Sequence, residues 1–239
     1  MPENFEAVWQ AATPIEGWLT KDQGRALFDA ARSVPQGLAA VEIGSHRGKS
    51  AVIIASGLPA GVTLTAVDPF DDPRWGGGPE SLEIFLRNVG EAGVGDRIEQ
   101  FRGLSEEASA SWDGPKVGFL WVDGAHDLES TLKDFDGWRP HMAQGGRIYV
   151  HDAFSAVGTT RAILRRFWFS RDVAYLGCER TLVKFEIRPL SLTERLRSGF
   201  ALARRLPFFA RMIAIKVSRR RGLNGLEQRF MKGPNEPLI

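Results

Sequence analysis

Short apolar runs alternate along the chain with longer stretches in which apolar residues recur every three or four positions. The apolar runs predict β-strands and the amphipathic stretches predict α-helices, an order typical of repeated βα units around a mainly parallel sheet. Two further β-rich runs close the series and predict an antiparallel hairpin. The pattern therefore predicts an α/β fold with a doubly wound, seven-stranded sheet. The predicted strands are 38–43, 62–67, 97–101, 117–122, 147–150, 172–176 and 181–187, and the predicted helices are 49–57, 79–92, 105–112, 128–142 and 159–169.

Amphipathic segments flank this sheet-forming region on both sides. Thr20 and Gln23 have the spacing of a capping box, which predicts a helix from there to residue 31. Ser191 opens a second box of this kind, and Pro207 is predicted to end the helix that follows it, before another helix over 208–217. The chain is accordingly divided into an N-terminal helical segment (1–34), a central domain (35–190) and a basic amphipathic helical tail (191–239).

The composition is that of an ordinary globular protein. The chain has 239 residues, of which 43% are hydrophobic and 25% charged, so a disordered or fibrous protein is excluded. Its single cysteine, Cys178, excludes a disulfide framework and fits a reducing compartment. Because the sequence starts with polar and acidic residues and has no apolar run that could span a bilayer, we expect a cytoplasmic protein.

Charge is distributed unevenly along the chain. From Ser191 onward eleven Lys and Arg face three Asp and Glu, a net of +8, which leaves residues 1–190 at −6 within the total of +2. An acidic body argues against nucleic acid as a partner, because binding phosphates requires a basic face. The basic tail instead predicts peripheral contact of residues 191–221 with the inner face of an anionic membrane. The alternative is that its apolar stripe packs on the protein itself or on a second subunit, which leaves a homo-oligomer open.

A glycine-containing turn follows the first predicted strand. Two glycines at a strand-to-helix turn let the backbone approach a ligand at a helix N-terminus. A phosphate-binding P-loop would need four residues between its first glycine and Gly-Lys-Ser, but this chain has three, and the dinucleotide fingerprint is absent. The turn reads Glu42-Ile43-Gly44-Ser45-His46-Arg47-Gly48-Lys49-Ser50.

Two further positions extend the predicted ligand site. Asp68 follows the second strand, 26 residues after Glu42, where a carboxylate can accept hydrogen bonds from ribose hydroxyls. Ser105, after the third strand, takes the position that usually flanks an adenine, and it equally suits a helix N-cap. The glycine turn and the acid at this separation are together less expected by chance than either alone; the alternatives are a tight turn without a ligand and an aspartate that only ends a strand before Pro69.

Acidic and imidazole side chains gather at the ends of the fourth and fifth predicted strands. Because the carboxyl ends of neighbouring parallel strands meet at one edge of a sheet, Asp123, His151 and Asp152 are predicted to converge beside the cofactor crevice. Two carboxylates and an imidazole would suit a divalent ion such as Mg²⁺ or Mn²⁺. The alternative is that the acids cap loops and that His151 is a histidine at the edge of the core.

These segments resemble the class I S-adenosylmethionine (SAM)-dependent methyltransferases, and in particular the bacterial metal-dependent enzymes that methylate sugar and antibiotic hydroxyls. The resemblance covers about residues 15–187 and is carried by the segments 16–20, 41–50, 66–70, 122–127 and 145–152. It implies a Rossmann-like methyltransferase fold with an antiparallel C-terminal hairpin, and SAM and a divalent metal as cofactors. One departure is that such relatives usually have two acids after the fifth strand, where this chain has His151-Asp152.

Carried over residue by residue, the resemblance implies two overlapping sets of site residues. Those implied to bind the cofactor are Glu42, Gly44, Ser45, Gly48, Lys49 and Ser50 around the methionine part of SAM, Asp68 at the ribose, Ser105 at the adenine, and Asp123. The implied metal ligands are Asp123, His151 and Asp152. The implied reaction is O-methylation of a saccharide or glycolipid hydroxyl, with Asp123, His126 and His151 as its catalytic residues.

Methyl transfer to a hydroxyl requires that the hydroxyl proton be removed, which a divalent ion favours by lowering the pKa of the hydroxyl. An imidazole with an ordinary pKa near ~6.5 suits the base. His126, three residues after Asp123, is the predicted base, and His151 is the alternative.

Trp18 and Trp75 are candidates to stack on a sugar ring or on adenine, and Trp75 lies in a lid-like loop over 70–79. The alternative is that both pack in the core. Rival functions are a catechol-type small-molecule O-methyltransferase, a SAM-binding scaffold attached through the tail, and an RNA methyltransferase.

Overall fold

The structure is a computed structural model that describes residues 4–75 and 77–221. Five strands alternate with helices and two more strands follow. The strands are β1 Ala39–Ile43, β2 Leu64–Asp68, β3 Ile98–Arg102, β4 Val117–Val122, β5 Met142–Val150, β6 Val173–Glu179 and β7 Leu182–Ile187. The α-helices are α1 Phe5–Ala12, α2 Lys21–Arg32, α3 Lys49–Gly57, α4 Ser81–Glu91, α5 Ser105–Ala110, α6 Leu128–Trp138, α7 Val157–Phe167, α8 Leu192–Ala203 and α9 Leu206–Arg220.

The strands form one mixed sheet in the order β3-β2-β1-β4-β5-β7-β6. Strands β1 to β5 pair in parallel, and β7 pairs antiparallel with both β5 and β6. The predicted doubly wound seven-stranded sheet is therefore confirmed. The strand order reverses between β1 and β4, so the crevice outside their carboxyl ends is where such a sheet binds ligands.

Helices cover both faces of the sheet and create two apolar cores. One core joins the sheet to α1 to α4, through residues such as Phe5, Leu27 and Ile53; the other joins it to α6 and α7, through residues such as Phe135 and Ile163. All five residues of β1 are buried, as expected for a central parallel strand covered on both faces. The predicted N-terminal segment and the described part of the tail share these cores, and the predicted domain boundaries stay a prediction.

Several predicted boundaries differ from the structure for local reasons. The helix predicted to reach residue 142 ends at Trp138, because Arg139–His141 form a 3₁₀ turn around Pro140 and β5 already begins at Met142. Pro207 does not end α8 but lies in the first turn of α9, where a proline costs no hydrogen bond. Gly177, predicted in the hairpin turn, lies within β6 at a shift in register.

Among the described helices, none is long and apolar enough to cross a membrane. The residues of the predicted tail beyond Arg221 lie outside the described part of the chain.

Candidate active site

A cleft opens at the carboxyl edge of the sheet, beside the ends of β1 and β4. Its volume is about 360 Å³, within the range of about 300–1,000 Å³ that is usual for small-molecule sites. The N-terminal segment, the glycine turn, the ends of β2 to β4 and α6 contribute its walls. The lining residues include Trp18, Gly44, Ser45, Lys49, Ser50, Asp68, Ser105, Asp123, His126 and Asp134.

Gly44 allows the backbones of β1 and β4 to meet at the cleft. Its φ is +86°, and a Cβ at this position would lie 2.2 Å from the carbonyl oxygen of Asp123. The Asp123 N–H donates to the carbonyl of Ile43 at 2.9 Å, which fixes the two strand ends together. Gly48, with φ of +90°, then forms the N-cap of α3. Both predicted glycines are therefore required by the backbone geometry of the turn.

Asp68 lies at the end of β2 and connects to the glycine turn through the backbone. Its Oδ2 accepts from the His46 N–H at 2.8 Å and its Oδ1 from the Phe70 N–H at 2.5 Å. Burial raises the pKa of Asp68, although the backbone donors oppose this effect. Because each carboxylate oxygen can accept more than one hydrogen bond, the side chain can still bind ribose hydroxyls from the cleft.

Glu42 lies beneath the glycine turn and Lys49 lines the cleft, and their predicted contacts with a cofactor stay a prediction. Glu42 is 0% exposed and lies beneath the cleft rather than in its lining. Burial raises the pKa of Glu42 to about 8, although the hydroxyls of Ser50 and Ser45 oppose this effect, so its carboxyl is largely protonated at neutral pH. The Lys49 ammonium donates to the carbonyl of Gly17 at 3.4 Å and so connects the turn to the N-terminal wall.

The wall formed by α6 contains a carboxyl group that the sequence did not reveal. Asp134 is 5% exposed, and burial raises its pKa to about 7. Beside it, Ser105 accepts a hydrogen bond from Trp138 Nε1 at 2.9 Å. Asp134 shares the buried side of α6 with Thr131, Phe135 and Trp138, so an acid at an apolar-face position was the signal in the sequence.

Four ionisable side chains lie together at the ends of β4 and β5. His151 Nδ1 is hydrogen-bonded to Asp123 Oδ1 at 2.9 Å. His126 Nε2 lies 3.7 Å from Asp123 Oδ1 and 3.3 Å from Asp152 Oδ2. The structure thus brings the predicted residues into one cluster, with the His126 imidazole between two carboxylates.

The two histidines of this cluster have different surroundings. His151 is 6% exposed, outside the cleft lining. Burial alone would lower its pKa, but the Asp123 carboxylate outweighs burial and raises the pKa of His151 to about 9. A histidine that is protonated at neutral pH is a poor proton acceptor. His126 lines the cleft, with 36% of its side chain exposed, so it is the better placed base.

The predicted metal ligands are close together but are not arranged around an ion position. Within 4–75 and 77–221, no group of three or more His, Cys, Asp or Glu side chains is arranged to hold a metal ion. His151 directs Nδ1 at Asp123, and His126 Nε2 lies between the carboxylates of Asp123 and Asp152. These side chains fit a carboxylate–imidazole cluster better than a metal site, and the divalent ion stays a prediction.

Two backbone contacts hold the loop that contains His126. His126 has φ of 60°, in the left-handed region that a non-glycine residue rarely adopts. A Cβ at Gly158, in the first turn of α7, would lie 2.4 Å from the His126 carbonyl oxygen. Thr159 Oγ1 donates to the same carbonyl at 3.5 Å. Gly158 therefore lets α7 support the loop, a role that its position in the sequence did not indicate.

The tail reaches the loop that contains Asp152. Lys216, on α9, donates to the carbonyl of Ser155 at 2.9 Å. Ser155 Oγ in turn donates to Asp152 Oδ1 at 2.8 Å. Burial would raise the pKa of Asp152, but the His151 and His126 imidazoles, the Ser155 hydroxyl and the Lys216 ammonium together hold that pKa below its ordinary value. The tail thus helps to keep this carboxylate ionised.

Of the two tryptophans predicted to stack on a ligand, the structure describes the side chain of Trp18 but not that of Trp75. Trp18 is 76% exposed at the mouth of the cleft, and its ring lies 5.7 Å from the His46 ring. The core-packing alternative is therefore excluded for Trp18. The side chain of Trp75 and the neighbouring Gly76 lie outside the described residues, so the predicted lid function stays a prediction.

Comparison with known proteins shows what the central part of this chain is similar to. Residues 41–153 match a family model described as a methyltransferase domain. This stretch contains the glycine turn, Asp68 and the complete cluster from Asp123 to Asp152. The central part of the chain therefore matches a methyltransferase domain, and the predicted resemblance to class I SAM-dependent methyltransferases is confirmed.

Solved structures of other proteins share the fold at low sequence identity. The cofactor-bound Rv0187 protein from MTB is 18% identical, with a TM-score of 0.61 over 77% of this chain and 88% of that one. The O-methyltransferase TomG from Streptomyces achromogenes, in complex with SAM, is 18% identical, with a TM-score of 0.60 over 79% and 91%. An O-methyltransferase from Bacillus cereus, in complex with SAH, is 18% identical, with a TM-score of 0.54 over 80% and 93%. The chain has the Rossmann-like fold of SAM-dependent O-methyltransferases.

Proposed function

We propose that this protein transfers the methyl group of SAM to a hydroxyl of a saccharide or glycolipid. The observation that carries the proposal is the position of His126, whose Nε2 lies in the cleft lining between Asp123 and Asp152. A base held between two carboxylates is suited to accept a proton, because the carboxylates stabilise the imidazolium that forms. The sulfonium of bound SAM supplies an activated methyl group for attack by the acceptor oxygen.

The residues of the cleft suit the parts of this cofactor. Asp68 accepts hydrogen bonds from the ribose hydroxyls, and the glycine turn with Ser45 and Ser50 surrounds the methionine part. Ser105 and Asp134 form the wall at the adenine end. Glu42 supports the turn from below and does not contact the cofactor in this proposal.

His126 removes the acceptor proton as the methyl group is transferred. The oxygen–carbon bond forms while the carbon–sulfur bond breaks, and the hydroxyl proton passes to His126. Asp152 stays ionised in this step because its pKa is held below the ordinary value. His151 acts on the reaction through Asp123, to which it is hydrogen-bonded.

Trp18 is the basis for choosing a saccharide acceptor. Its ring is 76% exposed beside the cleft, so its face can stack on a bound ligand. The apolar face of a sugar ring can cover it, while the hydroxyls of the same ring face Asp123 and His126. A small catechol-type acceptor would instead need an enclosing aromatic wall, and Trp18 covers only one side.

The proposal assigns no step to a divalent metal, although the sequence predicts one. His126 Nε2 lies between the Asp123 and Asp152 carboxylates, and within 4–75 and 77–221 these side chains are not arranged around an ion position. We therefore expect EDTA to leave methyl transfer unchanged. Loss of activity in EDTA, with recovery on addition of Mg²⁺ or Mn²⁺, would contradict this expectation and reinstate the predicted metal site.

The test is methyl transfer from radiolabelled SAM to panels of saccharides, glycolipids and catechols, with and without EDTA. We expect a saccharide or glycolipid to be methylated, and Trp18→Ala to raise the KM for it. His126→Gln should lower kcat by about 10²–10⁴-fold with SAM affinity preserved. His141→Gln is the matched control, because His141 lies outside the cleft lining and bonds to Ser109. Methylation of catechols alone, or a His126 variant with full activity, would overturn the proposal.

A further inference from the structure

Helix α8 is fastened to the domain along one side only. Leu202 is fully buried, and Gly199 packs so closely that a Cβ there would lie 2.9 Å from the Trp168 carbonyl oxygen. Ser198 Oγ accepts from the Tyr175 N–H at 3.3 Å. Arg195 donates to the Phe169 carbonyl at 3.2 Å. These contacts hold α8 against β6 and the end of α7.

The adjoining side of α8 presents large apolar side chains to solvent. Leu192, Leu196 and Phe200 recur every four residues and are 67%, 55% and 71% exposed. We call these three residues the apolar stripe. None of them contributes to the buried attachment of α8, since that attachment uses the other side of the helix. Contiguous exposed apolar surface of this kind marks a binding face in soluble proteins.

Basic side chains accompany the apolar stripe. Residues 191–221 contain nine Lys and Arg and one acid, Glu194. Arg188 donates to Glu194 at 2.7 Å, so this acid is already paired. Arg197 and Arg204 are exposed, and at 100° per residue both lie next to Phe200 around the helix. Apolar side chains bordered by cations suit a surface that is apolar within and anionic at its boundary.

We propose that the exposed face of α8 binds the surface of an anionic phospholipid membrane. The apolar stripe enters the interface between headgroups and acyl chains, and Arg197 and Arg204 pair with lipid phosphates and carboxylates. A second copy of this chain is the less suitable occupant, because a symmetric contact would bring the arginines of the two copies together. The proposal is independent of which acceptor is methylated.

The experiment needs the full chain, because the tail cannot be removed without damage to the domain. Met212 and Ile215 of α9 are buried, and Lys216 supports the Ser155 loop beside the active site. Substitutions on the exposed side of α8 avoid this problem. The stripe variant is Leu196→Gln with Phe200→Gln, and the charge variant is Arg197→Gln with Arg204→Gln. Leu86→Gln is the control, since Leu86 on α4 is an exposed apolar residue (44%) outside the tail.

Co-sedimentation with phosphatidylcholine vesicles, with and without phosphatidylserine, measures the binding. We expect the parent to sediment with the phosphatidylserine vesicles at low salt and to be released at high salt. The charge variant should bind about 30-fold more weakly, which corresponds to about 2 kcal/mol for two arginines. The stripe variant should bind at least about tenfold more weakly, and Leu86→Gln should bind like the parent.

Two controls distinguish a loss of membrane binding from misfolding and from a loss of the proposed methyl transfer. All variants should keep the thermal unfolding temperature of the parent and its methyl transfer to a water-soluble acceptor, because the changed side chains are exposed and outside the cleft. A parent that stays in the supernatant with phosphatidylserine vesicles at low salt overturns the proposal. So does a stripe variant that binds vesicles normally but changes from dimer to monomer in light scattering, because the stripe would then be a subunit interface.

Discussion

The backbone N–H of His46 donates to Oδ2 of Asp68 at 2.8 Å, which ties the turn after β1 to the end of β2. The carboxylate proposed to bind the ribose of the cofactor therefore also holds the turn proposed to surround its methionine part. His46 itself has φ of 46°, a conformation that needs such support. One side chain thus links the two halves of the proposed SAM site, which makes it a sensitive position for mutation.

Asp68→Ala should weaken SAM binding by about 10–100-fold, since the loss of hydrogen bonds to a charged group costs about 1.5–3 kcal/mol. Asp68→Asn should weaken it less, because the amide oxygen can still accept from the His46 N–H. Isothermal titration calorimetry with SAM measures both. Asp96→Ala, a change of an exposed aspartate outside the cleft, is the control. If Asp68→Ala binds SAM as tightly as the parent, the assignment of Asp68 to the cofactor is wrong.

Gly44→Ala should abolish SAM binding, because the new methyl group would lie 2.2 Å from the Asp123 carbonyl oxygen and would force β1 and β4 apart at the cleft. Gly61→Ala is a matched control: Gly61 also has a positive φ (+79°), but a Cβ there meets nothing within 4 Å. Both variants place an alanine at a positive φ, which strains the backbone, but only Gly44→Ala also causes a steric clash. The measurement is again SAM affinity, with circular dichroism to check folding. Equal SAM affinity in the two variants would mean that the close approach of the strands is not needed.

Gly158→Ala should lower kcat by about tenfold or more, because displacement of a catalytic group by ~1 Å can cost about 10²-fold. The added Cβ would lie 2.4 Å from the His126 carbonyl and so would move the loop that contains the proposed base. SAM affinity should stay unchanged, since Gly158 lies outside the cleft lining. Steady-state kinetics measures kcat, and calorimetry measures SAM affinity. Gly90→Ala, where a Cβ meets nothing within 4 Å, is the control. Parallel losses of kcat and SAM affinity would indicate a general structural role instead.

Glu42 should make folding stability decrease as pH rises from about 4.5 to about 8. Its ordinary pKa of 4.5 is raised to about 8 in the folded protein by burial. In this window the folded state retains a proton that the unfolded state releases, so stability falls by up to about 1.4 kcal/mol per pH unit from this group. Below pH 4.5 Glu42 is protonated in both the folded and the unfolded state, so it no longer makes stability depend on pH.

Glu42→Gln removes that titration, so its free energy of unfolding should decline less with pH than that of the parent. Urea denaturation at pH 5, 6.5 and 8 measures the free energy of unfolding of both proteins. The titrations of Asp134 and His151 are present in both proteins and therefore cancel in the comparison. Curves that run parallel over this range would show that Glu42 is ionised in the folded state.

The strands, the glycine turn and the candidate acids could be predicted from the sequence because each is a local signal. Strand 117–122 was predicted with its observed bounds, since a fully buried parallel strand is a continuous apolar run. The order of strands and helices was sufficient for the sheet, since short connections and parallel pairing leave few topologies. The positions of Asp68, Asp123 and Asp152 followed from the ends of predicted strands.

The tertiary structure alone decided how those residues relate to one another. The sequence contained both histidines, but only the fold buries His151 against Asp123 and leaves His126 in the cleft between two carboxylates. The contacts of Gly158 with His126 and of Lys216 with Ser155 join residues more than 30 positions apart. Burial, pKa and the distance between such residues depend on how separate segments pack. A pattern along the chain reports which face of an element is apolar, but it does not report which partner covers that face.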